Sequence, residues 1–201
     1  MEGLATGIEV FDRITGGIPK GKVILVEEEF GRIKSLFAQQ IAFNLAKKRK
    51  NGKTLYITQR SREEIEEEMK MYGMELVESI DIESLDKLSL KICNDYDLVI
   101  IEGFSILFYG LENKEIIDFI SGLKKIGATV LILSDMGILE KRKESILRAV
   151  VDGVIQFRFR DNMNRIERSI IIPKFSRIVD EVLPFKVESS GIVVDTRRRV
   201  G

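Results

Sequence analysis

Four apolar runs of strand length alternate along this chain with segments of helical periodicity. The apolar runs lie at 22–28, 53–58, 97–103 and 128–135. The helical segments that follow them lie at 34–50, 62–73, 113–127 and 138–150. A strand that is apolar throughout, rather than at every second residue, is typical of a parallel sheet buried on both faces. The alternation therefore predicts an α/β fold, in which helices cover both faces of a mostly parallel central sheet.

The pattern changes after residue 150. Segments such as DGVIQFRFR and RSIIIPKF have the composition of strands joined by turns, which predicts a C-terminal antiparallel β extension. The stretch 74–96 fits a short strand followed by a helix. We expect one domain over residues 1–201, with an α/β core at 1–150 and a β-rich part at 151–201.

Composition narrows the chemistry that this chain can perform. Histidine is absent, and Cys93 is the only cysteine, which excludes histidine acid/base catalysis and an internal disulfide. Lys and Arg together number 32, as do Asp and Glu, so no overall charge attracts nucleic acid. Without a signal pattern or a membrane-length apolar run, the cytoplasm is the expected location. The abundance of Lys and Glu is typical of a thermophile's protein.

The residues after the first predicted strand partly match a phosphate-binding loop. Such a loop has the pattern G-x-x-x-x-G-K-[ST], in which backbone amides and the lysine bind phosphate and the hydroxyl binds magnesium. The chain has EEFGRIKS at residues 28–35. The Lys34-Ser35 pair and a central glycine, Gly31, are present, but both glycines of the pattern are missing. As an isolated pattern, this match is weak.

Several segments, taken in order, resemble the KaiC-like family of the RecA superfamily. The stretch TGIEVFDRITGGIPKGKVILV resembles the entry to that family's phosphate loop, and YDLVIIEGFS resembles its Walker B strand. VVDGVIQF and RSIIIPKFSR resemble its later strands, so the resemblance covers nearly the whole chain. It implies a RecA-like three-layer ATP-binding fold, often a hexamer with the nucleotide between subunits.

The departures from the family pattern lie where ATP chemistry takes place. Glu28 and Ile33 stand at the two loop glycines, where a side chain hinders close approach of phosphate. Gln59 and Arg60 replace the pair of glutamates, one of which activates the attacking water. The Walker B aspartate is replaced by Glu102.

The family's Lys-x-Arg, which senses nucleotide on the neighbouring subunit, aligns with Lys174-Phe175-Ser176, so the arginine is lost unless Arg177 replaces it. Glu27, Glu28 and Glu29 add negative charge beside the expected phosphate position. One like-charge pair about 4 Å apart costs on the order of 1 kcal/mol in water and more in a cleft.

Simpler interpretations account for the same residues. Lys34 and Ser35 would then only begin a helix, with Ser35 solvated and Lys34 paired to Glu27 or Glu29. Glu102 would form a salt bridge with Lys34. Gln59 and Arg60 would be surface residues at a strand end.

A basic strand face is a further candidate site. Arg158 and Arg160 alternate with phenylalanines, and Arg165 and Arg168 follow. These arginines would contact nucleic acid or an acidic partner, or they would simply be solvated.

Three functional hypotheses follow. The first is a catalytically degenerate regulatory or assembly module, without catalytic residues or a cofactor, that binds a protein partner or forms a homo-oligomer. The second is an ATP-binding protein with absent or very slow hydrolysis, in which Gly31, Lys34, Ser35 and Glu102 hold the nucleotide. Ser35 and Glu102 would bind magnesium only together with that nucleotide, and no other metal site is expected. The third and weakest is nucleic-acid binding, against which the zero net charge argues.

Overall fold

The computed structural model describes residues 3–29, 31–49, 52–75, 78–87, 95–161 and 166–195. The strands are β1 Val23–Glu28, β2 Thr54–Thr58, β3 Ile80–Ser84, β4 Leu98–Ile101, β5 Thr129–Asp135, β6 Gly153–Asp161, β7 Ile166–Lys174, β8 Leu183–Glu188 and β9 Gly191–Val194. The helices are α1 Glu9–Thr15, α2 Ile33–Lys48, α3 Arg62–Met71, α4 Phe104–Leu107, α5 Asn113–Leu123 and α6 Lys141–Val150, with a 3₁₀ turn at Leu85–Lys87.

The strands form one sheet in the order β3-β2-β4-β5-β1-β6-β7-β8-β9. Pairing is parallel from β3 through β6 and antiparallel from β6 to β9. The predicted α/β fold with its antiparallel C-terminal extension is therefore confirmed. β1 lies between β5 and β6, so the loop that follows it opens at the centre of the sheet.

Alternating side chains of β1 divide the core into two layers. Ile24 and Val26 pack with α2, through Phe37 and its neighbours. Val23 and Leu25 face the opposite way and pack with α5 and α6. Both faces are buried, which is why β1 is apolar until its last two residues.

The structure differs from the sequence predictions mainly at element ends. The run 97–103 ends as a strand at Ile101, because Gly103 adopts a left-handed conformation (φ 79°) and is the N-cap residue of α4. In the stretch 74–96, β3 is the predicted strand, but a 3₁₀ turn follows it in place of the expected helix start. Residues 88–94, Cys93 included, lie outside the described residues. Among the helices described, none has the length and apolar character needed to cross a membrane.

Candidate functional site

The predicted phosphate loop connects β1 to α2 at the carboxyl edge of the sheet, where α/β folds bind ligands. Gly31 adopts a φ of 125°, a conformation that favours glycine. Helix α2 begins at Ile33, and the side chain of its N-cap residue, Arg32, forms no capping hydrogen bond. The first-turn amides of α2 therefore need another acceptor.

The carboxylate of Glu28 occupies this helix terminus. Glu28 Oε2 accepts a hydrogen bond from the Lys34 backbone amide at 3.1 Å and lies 3.8 Å from Lys34 Nζ. A β-carbon built on Gly31 would lie 2.6 Å from Glu28 Oε1, so the carboxylate fills the space against the loop backbone. The amide and the ammonium that a phosphate loop would direct at phosphate are thus directed at an internal carboxylate.

Burial raises the pKa of Glu28 above its ordinary value. Hydrogen bonds from the amides of Lys34 and Ile33, together with the Lys34 charge, oppose this rise, and the charge of Asp135 adds to it. We call the space between the loop backbone and the first turn of α2 the phosphate cradle. It holds the Glu28 carboxyl group in an environment that disfavours the ionised form of that group.

The simpler interpretation of the sequence predicted that Lys34 pairs with Glu27, Glu29 or Glu102. In the structure, Lys34 has other partners. Its ammonium donates to Asp135 Oδ1 at 2.6 Å and to the Gly31 carbonyl at 3.1 Å. Asp135 is directly opposite Glu28 in the parallel pairing of β1 with β5. That strand adjacency places the Asp135 carboxylate next to Lys34.

Ser35 is buried and not solvated, again unlike the simpler interpretation. Its hydroxyl donates to Glu102 Oε1, and Thr58 Oγ1 donates to Glu102 Oε2 at 2.7 Å. Arg60 approaches the same carboxylate at 3.8 Å. Ser35 and Glu102, the two expected magnesium ligands, therefore contact each other. No group of three or more metal-ligating side chains was found in the part of the chain that the structure describes.

Arg60 is not a surface residue, although Gln59 beside it is exposed. Its side chain is 17% exposed, and its guanidinium donates to Glu68 Oε2 at 2.6 Å. Burial opposes the charged form, but the hydrogen bond and charge of Glu68 exceed that effect and raise the Arg60 pKa. A partly buried cation thus lies at a position where the resemblance to the family implies glutamate.

The sequence suggested that Glu27 and Glu29 lie beside the expected phosphate position, but neither side chain faces the loop. Glu27 lies on the opposite side of the sheet from Glu28, because successive strand side chains alternate. There it accepts from Arg148 at 3.0 Å and from Gln156 at 2.8 Å. Glu29 pairs with Arg158 at 3.0 Å. Only Glu28 of the three points into the cradle.

Lys174, which the resemblance aligns with the lysine of the family's sensing motif, is engaged within its own chain. Its ammonium donates to the carbonyls of Arg148, Ala149 and Val151 at 3.2, 2.8 and 2.6 Å. These carbonyls lie at the C-terminal end of α6, where a helix attracts cations. Arg177 contacts the Arg13 carbonyl at 3.4 Å.

The basic strand face is partly neutralised. Arg158 is held by Glu29 and by Gln156 at 3.1 Å, whereas Arg160 and Arg168 are exposed. Arg165 and the terminal Arg197, Arg198 and Arg199 lie outside the described residues.

Sequence reasoning identified Gly31, Lys34, Ser35 and Glu102, and the structure brings these residues together. It missed Asp135, Thr58 and Glu68. Asp135 and Thr58 are polar residues at the carboxyl ends of apolar runs, a signal that could have identified them. Glu68 lies within an acidic helix whose other glutamates mask it.

Comparisons with known proteins agree with this architecture. A family model described as "ATPase: KaiC" matches residues 4–91 and 101–199. Among solved structures, the chain is similar to a KaiC-like protein from the hyperthermophilic archaeon Pyrococcus horikoshii OT3. The TM-score is 0.79 at 19% sequence identity, over 95% of this chain and 97% of that one. No curated protein matches the sequence.

Proposed function

Since the chain belongs to the KaiC family of ATPases, we propose that it is a member whose phosphate site is filled by its own Glu28. In this proposal it does not hydrolyse ATP. It acts as a regulatory or assembly module through contacts with a protein partner or with further copies of itself. The observation that carries the proposal is the Glu28 carboxylate at the start of α2.

The contacts around the loop support this proposal because each phosphate-binding group has an internal partner. The Lys34 amide is bonded to Glu28, the Lys34 ammonium to Asp135, and the Ser35 hydroxyl to Glu102. A nucleotide would have to displace these carboxylates before its phosphates reached the same donors. Displacing Glu28 would also leave a carboxylate beside the phosphates, which repels them.

The residues near the expected attacking water support the absence of hydrolysis. Position 60 carries a guanidinium bonded to Glu68 and close to Glu102, and a guanidinium cannot accept a proton as a general base. General-base assistance typically contributes about 10²- to 10⁴-fold to a rate. Its loss alone would bring turnover close to background.

A second candidate function is ATP binding with absent or very slow hydrolysis. The contact of Ser35 with Glu102, one residue from Lys34, favours it, because a lysine and a hydroxyl hold phosphate and magnesium in phosphate-binding loops and a carboxylate can also ligate magnesium. In this case Glu28 would leave the cradle when nucleotide arrives, and Ser35 and Glu102 would turn toward magnesium. Nucleic-acid binding by the basic strand face is the weakest candidate, since Glu29 already neutralises Arg158.

Two measurements on the wild-type protein separate these candidates. A ligand that binds only the folded state at 100 times its Kd stabilises that state by about 2.7 kcal/mol. We expect no rise in melting temperature with magnesium-ATP and no phosphate release above a buffer blank. A melting-temperature rise without turnover would support the second candidate. Phosphate release that disappears in Lys34→Ala would contradict both.

A further inference from the structure

A pocket of about 270 Å³ opens beside Glu28, between the first turn of α2 and strands β6, β7 and β8. Phe157, Phe159 and Phe185 supply aromatic walls. The rings of Phe157 and Phe185 pack edge to face with centroids 5.5 Å apart, so this part of the pocket is rigidly supported. Ile166, at the pocket's edge, is 55% exposed. Aromatic walls with an exposed apolar edge fit a flat, apolar molecule.

Three arginines surround these walls. Arg168 is directly opposite Phe159 in the pairing of β6 with β7, and within the described part of the chain no carboxylate is paired with it. Arg32 is 69% exposed, and its guanidinium lies 4.0 Å from the Glu68 carboxylate, which is too far for a hydrogen bond. Arg158 also lines the pocket but is held by Glu29. Two guanidiniums, those of Arg32 and Arg168, are therefore little engaged.

One carboxylate, Glu28, lines the same pocket. Its negative charge is partly offset by the amide and ammonium of Lys34, and the two guanidiniums of Arg32 and Arg168 outnumber it. The charge balance of the open space is consequently positive, so the pocket favours an anion.

We infer that this pocket binds a small organic anion with a planar apolar body and a single negatively charged group. The body packs against Phe159, Phe185 and Ile166, and the charged group lies between Arg32 and Arg168. Arginine recognises such anions well because its planar fork also stacks on aromatic rings. The pocket volume is just below the range of about 300 to 1,000 Å³ for drug-sized ligands, which suits a body of two or three aromatic rings.

This inference rests on the proposed function in one respect. Because Glu28 fills the phosphate cradle next to the pocket, a ligand there has no triphosphate-binding loop to extend into. The pocket is therefore assigned to anions smaller than a nucleoside triphosphate.

The test is a fluorescence titration of the full chain with 8-anilinonaphthalene-1-sulfonate, an aromatic probe with one sulfonate. We expect saturable binding to the wild type and about tenfold weaker binding to Arg168→Gln, a difference of about 1.4 kcal/mol. Phe159→Ala should also weaken binding. Arg142→Gln, which removes an exposed arginine on α6, is the matched control and should bind as the wild type does. Circular dichroism establishes that each variant is folded.

A neutral probe isolates the role of charge. N-phenyl-1-naphthylamine has the same rings without the sulfonate, so it should bind the wild type about tenfold more weakly and should not distinguish wild type from Arg168→Gln. Equal binding of the two probes, or unchanged sulfonate binding in Arg168→Gln, would overturn the inference. Displacement of the sulfonate probe by a short single-stranded oligonucleotide would overturn it in favour of nucleic acid.

Magnesium-ATP as competitor separates this inference from the proposed function. Displacement of the probe by magnesium-ATP would contradict both. Binding of magnesium-ATP without displacement would contradict only the proposed function. Failure of the probe to bind a folded wild type that also ignores magnesium-ATP would contradict only the pocket.

Discussion

At the residue scale, the loop between β1 and α2 differs from a phosphate-binding loop most clearly at Glu28. The resemblance to the family's phosphate loop aligns Glu28 with a glycine, and the sequence alone suggested that its charge repels phosphate. The structure indicates a more specific role, because the carboxylate is bonded to the amide at the start of α2. An internal anion satisfies the same donors that would otherwise attract an external one.

Glu28→Gln should change how stability depends on pH. Burial raises the Glu28 pKa above its ordinary value of 4.5, so the folded state binds this proton more tightly than the unfolded state. The resulting stabilisation is fully present below pH 4.5 and is lost as the pH rises through the raised pKa. Glutamine does not titrate, so the free energy of unfolding of Glu28→Gln should increase relative to wild type as the pH rises from below 4.5 to neutrality.

Urea unfolding of both proteins over that pH range measures this difference. Lys34 and Asp135 face Glu28 and are present in both proteins, so their direct contributions largely cancel. A difference that stays constant with pH, or that moves in favour of wild type, would show that folding does not raise the pKa of Glu28.

Lys34→Met should destabilise the protein even without nucleotide. The lysine side chain is 6% exposed and is the cation between Glu28 and Asp135. Breaking a buried pair leaves an unpaired charge, which costs about 3 kcal/mol when one partner keeps some exposure, as Asp135 does. Lys125→Met, at an exposed position, is the control and should change stability by less than about 0.5 kcal/mol. Equal effects of the two substitutions on denaturant unfolding would argue that Lys34 has no structural role.

At the element scale, helix α6 is tied to the sheet at its C-terminal end. Lys174, on β7, donates to three carbonyls there. Lys174→Met should lower the free energy of unfolding by about 1 to 2 kcal/mol, since it removes charge-assisted hydrogen bonds and a cation at the negative end of the helix.

Lys141→Met tests the other end of the same helix. Lys141 is the first residue of α6 and is exposed, and a cation at a helix N-terminus is unfavourable. Its removal should leave stability unchanged or slightly higher. Two equally destabilising substitutions would mean that general surface charge, rather than capping by Lys174, explains the effect.

The same elements show what the sequence could and could not reveal. Strands β1, β2, β4 and β5 were predicted to within two residues, because burial on both faces requires continuous apolar runs. The partners of site residues were not predicted, since they depend on which strands are adjacent. Asp135 is 101 residues from Lys34, and Glu102 is 67 residues from Ser35. Neither distance along the chain carries a pattern that would indicate contact.

At the scale of the whole molecule, the sheet order explains both the predicted and the unexpected contacts of the site. β1 lies between β5 and β6, so Glu28 meets Asp135 on one side and the aromatic pocket on the other. Strand alternation directs Glu27 to the opposite layer, toward Arg148. Restoring a phosphate site should therefore require changes at 28 and 33 only, with Glu27 and Glu29 left paired.

Calorimetric titration of magnesium-ATP into wild type and into Glu28→Gly/Ile33→Gly tests whether Glu28 fills the phosphate site. We predict no saturable heat for wild type up to about 1 mM nucleotide, equivalent to a binding free energy weaker than about −4.1 kcal/mol. We predict saturable binding for the double variant, because its α2 terminus no longer holds the Glu28 carboxylate and can receive phosphate. Equal affinity of the two proteins for magnesium-ATP would contradict this prediction.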